Sequence, residues 1–392
     1  MVVRQFLDWF WNPDVWLPPG FDWKDIVPTE EVKYAVPYDL LYAIPIGIGM
    51  VFVRYFLERT LFYPLGHLLG IKEQKKLRIL PANPTLEKAF TGKGKKAKLF
   101  THKELEELGK KTDLQVRQVE RWMRRRAAQG KPTTLAKFSE SCWRFLCYLI
   151  SFLIGVYVLW DKPWLWDILH CWYDYPHHSV TTDIWWYYVY GSSFYWSLLI
   201  TLAYDAKRKD FWEMSLHHVA TLCLLAFSWT CNLTRVGTLV LLLHDFVEPW
   251  LEGSKLCKYS KHNGIGDVVS IMFILAWIAT RITLFPMHII NSTLFEAPKI
   301  IPMFSAYYIF NGMLILLFCL HVFWTYFIAI YVYNALSMNA TELKDTRSSS
   351  EYVTEPSEEE EGSEFDGKHS GRSTPKGGIT RRGLFYEKKQ FT

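Results

Sequence analysis

Apolar residues in this chain are gathered into runs, and the charges are set between the runs rather than among them. The runs fall at 37–57, 140–160, 185–204, 211–231, 236–252, 267–290 and 305–334. About 20 helical residues cross a hydrocarbon core of roughly 30 Å. With no water there to bind the backbone, each such segment must close its own hydrogen bonds as a helix. The pattern predicts an all-α fold: a polytopic membrane helical bundle of about seven spans. Asp8, Asp14, Asp22, Pro13, Pro18 and Pro19 interrupt the first 30 residues, which predicts no secretory signal peptide. The seven cysteines form no CxxC pair and read as small buried hydrophobes.

Basic loops orient the bundle. Residues 72–137 hold 19 Lys and Arg against 7 Asp and Glu; Lys207, Arg208 and Lys209 follow the third run, and Lys255, Lys258 and Lys261 follow the fifth. These are alternate loops, so one topology places all of them in the cytosol, with the N-terminus lumenal and the C-terminus cytosolic. The sequon at Asn291 then lies in a lumenal loop, as a candidate glycosylation site.

The chain divides into a lumenal N-terminal segment (1–36), a first span (37–60), a small basic cytosolic helical domain (72–137), a membrane catalytic domain (138–334) and a tail (335–392). The tail is acidic and Ser-rich, with Ser350 and Ser357 as candidate phosphorylation sites, and its composition predicts disorder. In the basic domain, Thr101 with Glu104 reads as a capping box opening one helix, and Asp113 as the cap of the next. That second helix ends in Trp122-Met123-Arg124-Arg125-Arg126, which resembles the end of a homeodomain. Arg125 stands where homeodomains carry their adenine-reading Asn. DNA binding is therefore disfavoured against contact with membrane lipids or a phosphorylated ligand.

The chemical signal lies in the fourth and fifth runs. His217 and His218 occupy one; Arg235, His244, Asp245 and Glu248 occupy or flank the other. Ionisable groups at bilayer depth are costly and mark a cavity or a functional site. Counted at 1.5 Å per residue from the cytosolic ends, both histidines lie about 7–9 Å inside, Glu248 about 6 Å and Asp245 about 10 Å. The spacing i,i+4 (His244, Glu248) and i,i+3 (Asp245, Glu248) puts these side chains on one helix face. A histidine beside a carboxylate can activate a weak nucleophile or itself accept an acyl group. The HxxxH and HxxHH boxes of membrane di-iron enzymes are absent, and His170, His177 and His178 lie in a loop on the opposite side, so no metal site is expected.

The stretch His217-His218, Arg235 to Val240, His244-Asp245, Leu251-Glu252 and Lys255 resembles the signature block of ceramide synthases. Phe194 to Leu198, Lys207 to Phe211 and Lys162 to Trp164 extend the likeness. The family carries Asp where this chain has Glu248, followed by Pro249, which predicts a kink. The resemblance implies acyl transfer from fatty acyl-CoA, as co-substrate with no bound cofactor, to the amine of a long-chain sphingoid base. It implies the endoplasmic reticulum membrane and is compatible with a homo- or hetero-dimer. Carried onto this chain, His217 or His218 is the base or acyl acceptor, Asp245 and Glu248 assist, and His244 and Arg235 support. Lys207, Arg208 and Lys209 are candidates for the CoA phosphates. A non-enzymatic lipid-sensing or translocon-associated protein of the same superfamily is the alternative.

Overall fold

The computed structural model describes residue 5 and residues 9–30, 32–71, 83–93, 100–128, 132–205 and 210–337. Among them there are helices and connections and no strand. Eleven helices position everything that follows: α1 (Pro37–Leu68), α2 (Pro84–Lys93), α3 (His102–Thr112), α4 (Val116–Ala128), α5 (Thr134–Leu159), α6 (Thr182–Thr201), α7 (Phe211–Thr230), α8 (Thr234–Asp245), α9 (Glu248–Tyr259), α10 (Asn263–Ile300) and α11 (Ser305–Ser337). Four of them, α1, α5, α10 and α11, are long and apolar enough to cross a membrane. The other expected spans coincide with α6, α7 and the α8–α9 pair, which are shorter or more polar.

The run at 236–252 is two twelve-residue helices, α8 and α9, rather than one. Pro249 explains the break. It has no N–H for the carbonyl of Asp245, and its ring crowds that carbonyl. A second irregularity lies in α10, where Ile278–Ile290 winds as a π-helix with Pro286 inside it. The α10 helix also runs on through the sequon to Ile300, so the expected lumenal loop shrinks to the few residues around Ile301–Phe304.

Small residues let the helices approach closely, as packing in lipid demands. Gly47 of α1 faces α6, and a Cβ there would lie 2.7 Å from the Ser193 carbonyl oxygen. Gly237 of α8 faces Tyr188 of α6, whose hydroxyl lies 3.1 Å from Ser228 Oγ and donates to the Thr234 carbonyl at 3.3 Å. Asn232, at φ 58° in the α7–α8 turn, donates through Nδ2 to the carbonyls of Pro176 (2.7 Å) and His178 (2.8 Å), tying that turn to the loop before α6. The N-terminal segment packs on the same end of the bundle. Trp16 and Leu17 are buried, and Phe10, Trp11 and Trp16 surround Phe227 of α7.

At the other end of α6, Asp205 accepts from Arg54 of α1 (2.7 and 3.2 Å) and from Arg144 of α5 (2.7 Å), while Arg144 also pairs with Glu140. The basic region folds around its own small core of Leu86, Leu105, Val119, Trp122 and Met123. Its capping box at Thr101 and Glu104 is present. Asp113, expected to open α4, instead closes α3 in the left-handed region (φ 54°), a conformation Asp tolerates better than most residues. Arg126 pairs with Glu87 at 2.6 Å and holds α4 to α2.

Adding a Cβ at Gly237 would place it 1.7 Å from the Tyr188 hydroxyl. Gly237→Ala should therefore cost about 1–3 kcal/mol by overpacking and lower the thermal unfolding midpoint in detergent. The double variant Gly237→Ala/Tyr188→Phe should recover part of the loss. An unchanged midpoint for the single variant would show that α6 and α8 are not held at this distance.

Candidate active site

The polar residues of α7 lie inside the bundle. His218 is 4% exposed, with its ring 6.0 Å from Tyr195 of α6 and 5.5 Å from His217. The His217 ring meets Trp324 of α11 edge-on, at 5.5 Å and 90°. Its Nδ1 is buried and has no hydrogen-bond partner among the described residues. Thr221, one turn on, donates to the His217 carbonyl and so leaves the imidazole free of its hydroxyl.

The break between α8 and α9 gathers the second set. Asp245, 1% exposed, accepts from Ser151 Oγ of α5 at 2.6 Å. Glu248 Oε1 accepts from Arg281 Nη2 of α10 at 3.0 Å, and the same nitrogen donates to the His244 carbonyl at 3.0 Å. Arg281 Nη1 lies 3.1 Å from Nε2 of His321 on α11. A guanidinium has only donors, so His321 accepts through Nε2. By the same logic His244 donates through Nδ1 to the Val240 carbonyl at 2.7 Å, which makes its Nε2 an acceptor without a partner among the described residues. The rings of His244 and His321 lie 5.1 Å apart, with Phe285 against both.

The residues expected at the site are thus divided. His244 and Glu248 share Arg281. Asp245 turns to α5 instead, and no hydrogen bond joins it to His217. The 100° between successive helical residues separates Asp245 from His244, and the break at Pro249 removes the single face that one continuous helix would have offered. Arg235 stands apart, at the far end of α8 and about 15 Å along the helix from Asp245. There it donates to the His170 carbonyl and covers the Trp164 ring at 4.9 Å. Lys207, Arg208 and Lys209, with Ser350 and Ser357, lie outside the described residues. Asn291 is exposed, but Thr293 of its sequon is buried. In the loop before α6, His178 has Nε2 2.7 Å from the Tyr173 carbonyl, and burial lowers its pKa to about 4; His177 lies against Tyr34.

Sequence reasoning missed Arg281, His321 and Ser151. Two of these were visible, because Arg281 and His321 are ionisable residues inside apolar runs and fall under the rule that marked His217 and Asp245. Ser151 carries no such signal.

An apolar cavity runs from His244 toward the opposite end of the bundle. His244, Tyr195 and Thr221 line one end; Thr293, Ile301 and Phe304 line the other. Its shape and lining suit a long hydrocarbon tail, with His244, whose Nε2 has no partner among the described residues, at one end.

Residues 137–330 match the family model described as the TLC domain. The chain is 38% identical to human ceramide synthase 4 over 347 residues, which cover 88% of this chain and 87% of that one. It is 38% identical to human ceramide synthase 5, over 88% of each chain. Ceramide synthase hyl-1 of Caenorhabditis elegans is 32% identical, over 88% of this chain and 84% of its own.

Arg281 is 3% exposed and answers acceptors from α8, α9 and α11. Arg281→Met takes from Glu248 its buried cation and should cost about 3 kcal/mol. Arg281→Met/Glu248→Leu, which removes both charges, should unfold at a higher temperature than the single variant. If the double variant is the less stable of the two, the pair is not the element that holds α9 to α10.

Proposed function

The chain belongs to the ceramide synthase family, and on that premise we propose that it acylates a long-chain sphingoid base such as sphinganine, with fatty acyl-CoA as donor. The observation that carries the reading is the cavity, apolar along its length and bordered by one histidine, His244, at one end, with Thr221, one turn beyond His217, beside it. A fatty acyl tail fills it, and the thioester carbonyl comes to rest at the level of His244 and the His217–His218 pair.

The chemistry needs few groups. The amine nitrogen of the base attacks the thioester carbonyl carbon, the C–S bond breaks, and an amide and a thiol leave. One N–H proton moves from nitrogen to the departing thiolate. His217, with its unpartnered Nδ1, is the group to carry that proton, or to hold the acyl group as an intermediate. Asp245, anchored by Ser151, and Glu248, anchored by Arg281, complete the polar cluster beside the histidines. The basic loop at Lys207, Arg208 and Lys209 is the place for the CoA phosphates. Seven spans, a lumenal N-terminus and the endoplasmic reticulum membrane complete the reading.

His217→Ala and Asp245→Ala should each lower N-acylation at least 100-fold, measured by mass spectrometry on purified protein given sphinganine and an acyl-CoA panel. Both should still be extracted in folded form. Near-normal turnover in either variant removes that residue from the mechanism, and a wild-type chain that forms no amide removes the reading.

Thr293, Ala297, Pro298, Ile301 and Pro302, within residues 292–302, line the far end of the cavity and are the floor in this reading. Each further methylene adds about 0.8 kcal/mol of burial until that floor is met, after which a longer chain clashes. Exchanging 292–302 for the equivalent segment of a relative with a different chain-length preference should shift the acyl-CoA profile. An unchanged profile at full activity would place the selecting residues higher in the cavity.

A further inference from the structure

Asp210 precedes α7 and is 4% exposed. A residue in that position commonly caps the helix, but its carboxylate makes no capping bond to the first turn. One oxygen, Oδ2, accepts from Trp324 Nε1 at 3.1 Å. The other, Oδ1, is buried and has no partner among the described residues. The indole that holds Oδ2 is the same ring that meets His217 edge-on at 5.5 Å. A carboxylate, an indole and an imidazole therefore stand in series, with an unmet acceptor at one end and an unmet ring nitrogen, His217 Nδ1, at the other.

Burying half of a carboxylate without a donor is costly, and a retained orphan of this kind calls for an explanation. Structural needs do not supply one, since the Trp324 bond requires only Oδ2. The fold also places Asp210 away from the hydrocarbon end of the cavity. It is seven residues before His217, about 10 Å along α7, and no residue near it lines the apolar pocket. What can satisfy Oδ1 is a donor-rich group entering beside Trp324 within reach of His217.

We propose that Asp210 is the binding residue for the polar head of the amine substrate, an amine flanked by hydroxyls: a hydroxyl of the head donates to Oδ1, which leaves the amine on the side toward His217. This rests on the acyl-transfer reading above and assigns it a second subsite. The acyl tail occupies the apolar cavity, and the head of the base is held by Asp210 on the other side of the histidine pair. Trp324 sets the spacing between that head and His217.

The test separates the two substrates. Purified full-length protein is assayed with sphinganine varied at saturating acyl-CoA, and then the reverse. Asp210→Asn keeps an acceptor oxygen for Trp324 but turns the orphan acceptor into a donor. It should raise KM for sphinganine at least tenfold and leave KM for acyl-CoA within twofold, with Asp210→Glu recovering part of the loss. A rise shared equally by both substrates, or no rise for sphinganine, would overturn the assignment. Sphinganine alone should raise the thermal unfolding midpoint of the wild-type protein and not that of Asp210→Asn. That measurement needs no turnover. If sphinganine stabilises only the wild type while no amide forms from any thioester, the subsite stands and the transfer reaction falls; if it stabilises both alike, the subsite falls.

Discussion

A guanidinium sealed among apolar helices has to be met by acceptors from the elements around it, and Arg281 is met from three sides. It reaches the His244 carbonyl on α8, Glu248 on α9 and His321 on α11. Breaking a buried charge pair costs far more than an exposed one is worth, so these contacts fix the junction of four helices. The π-wound stretch of α10 carries Arg281 and Phe285 together. Such windings concentrate at functional sites because the extra residue per turn re-aims neighbouring side chains. The break at Pro249 lies at the same junction. Irregular backbone inside a membrane is tolerated where it is buried in protein or lines a cavity, and here Pro249, Arg281 and Phe285 are buried among the helices.

The same junction divides the interior by chemistry. On one side are imidazoles, carboxylates and a guanidinium, largely paired with one another. On the other is a cavity whose walls are almost wholly hydrocarbon. An amphiphile can be read by such a division without any long list of specific contacts. Its tail is selected by volume, and its head is placed by the few polar atoms at the border. The unpartnered His217 Nδ1 and His244 Nε2 sit in the polar part.

How much of this was legible in the sequence follows from which forces act locally. The helices were legible because a bilayer forces apolar runs of fixed length, and every expected run contains a helix. The break at Pro249 was half visible: the proline predicts a kink, but whether the two segments part depends on what receives the freed carbonyls. The polar site was located through His217, His218, His244, Asp245 and Glu248, since ionisable residues stand out in apolar runs. Their pairing was not legible. Asp245 finds Ser151 rather than a histidine, and Arg235 belongs to the loop at His170. Partners are set by helix rotation and packing, which one sequence does not encode at the resolution of a hydrogen bond. Asp113 shows the local version of the problem, since an Asp between two helices can open one or close the other.

The position of Trp324 carries the argument one step further. In a water-poor interior an indole is nearly the sole neutral side chain that offers a large rigid face and a single directed donor. Its N–H is spent on Asp210 and its ring on His217, so the orientation of each group constrains the other. A flexible linker between them would let the head of one substrate drift from the thioester of the other. A fixed ring instead holds Asp210 and His217 at a constant separation, and orientation of that kind can supply several kcal/mol of a transfer barrier. On the proposed subsite, reactivity depends on α11, a helix that contributes none of the residues the sequence marked as catalytic.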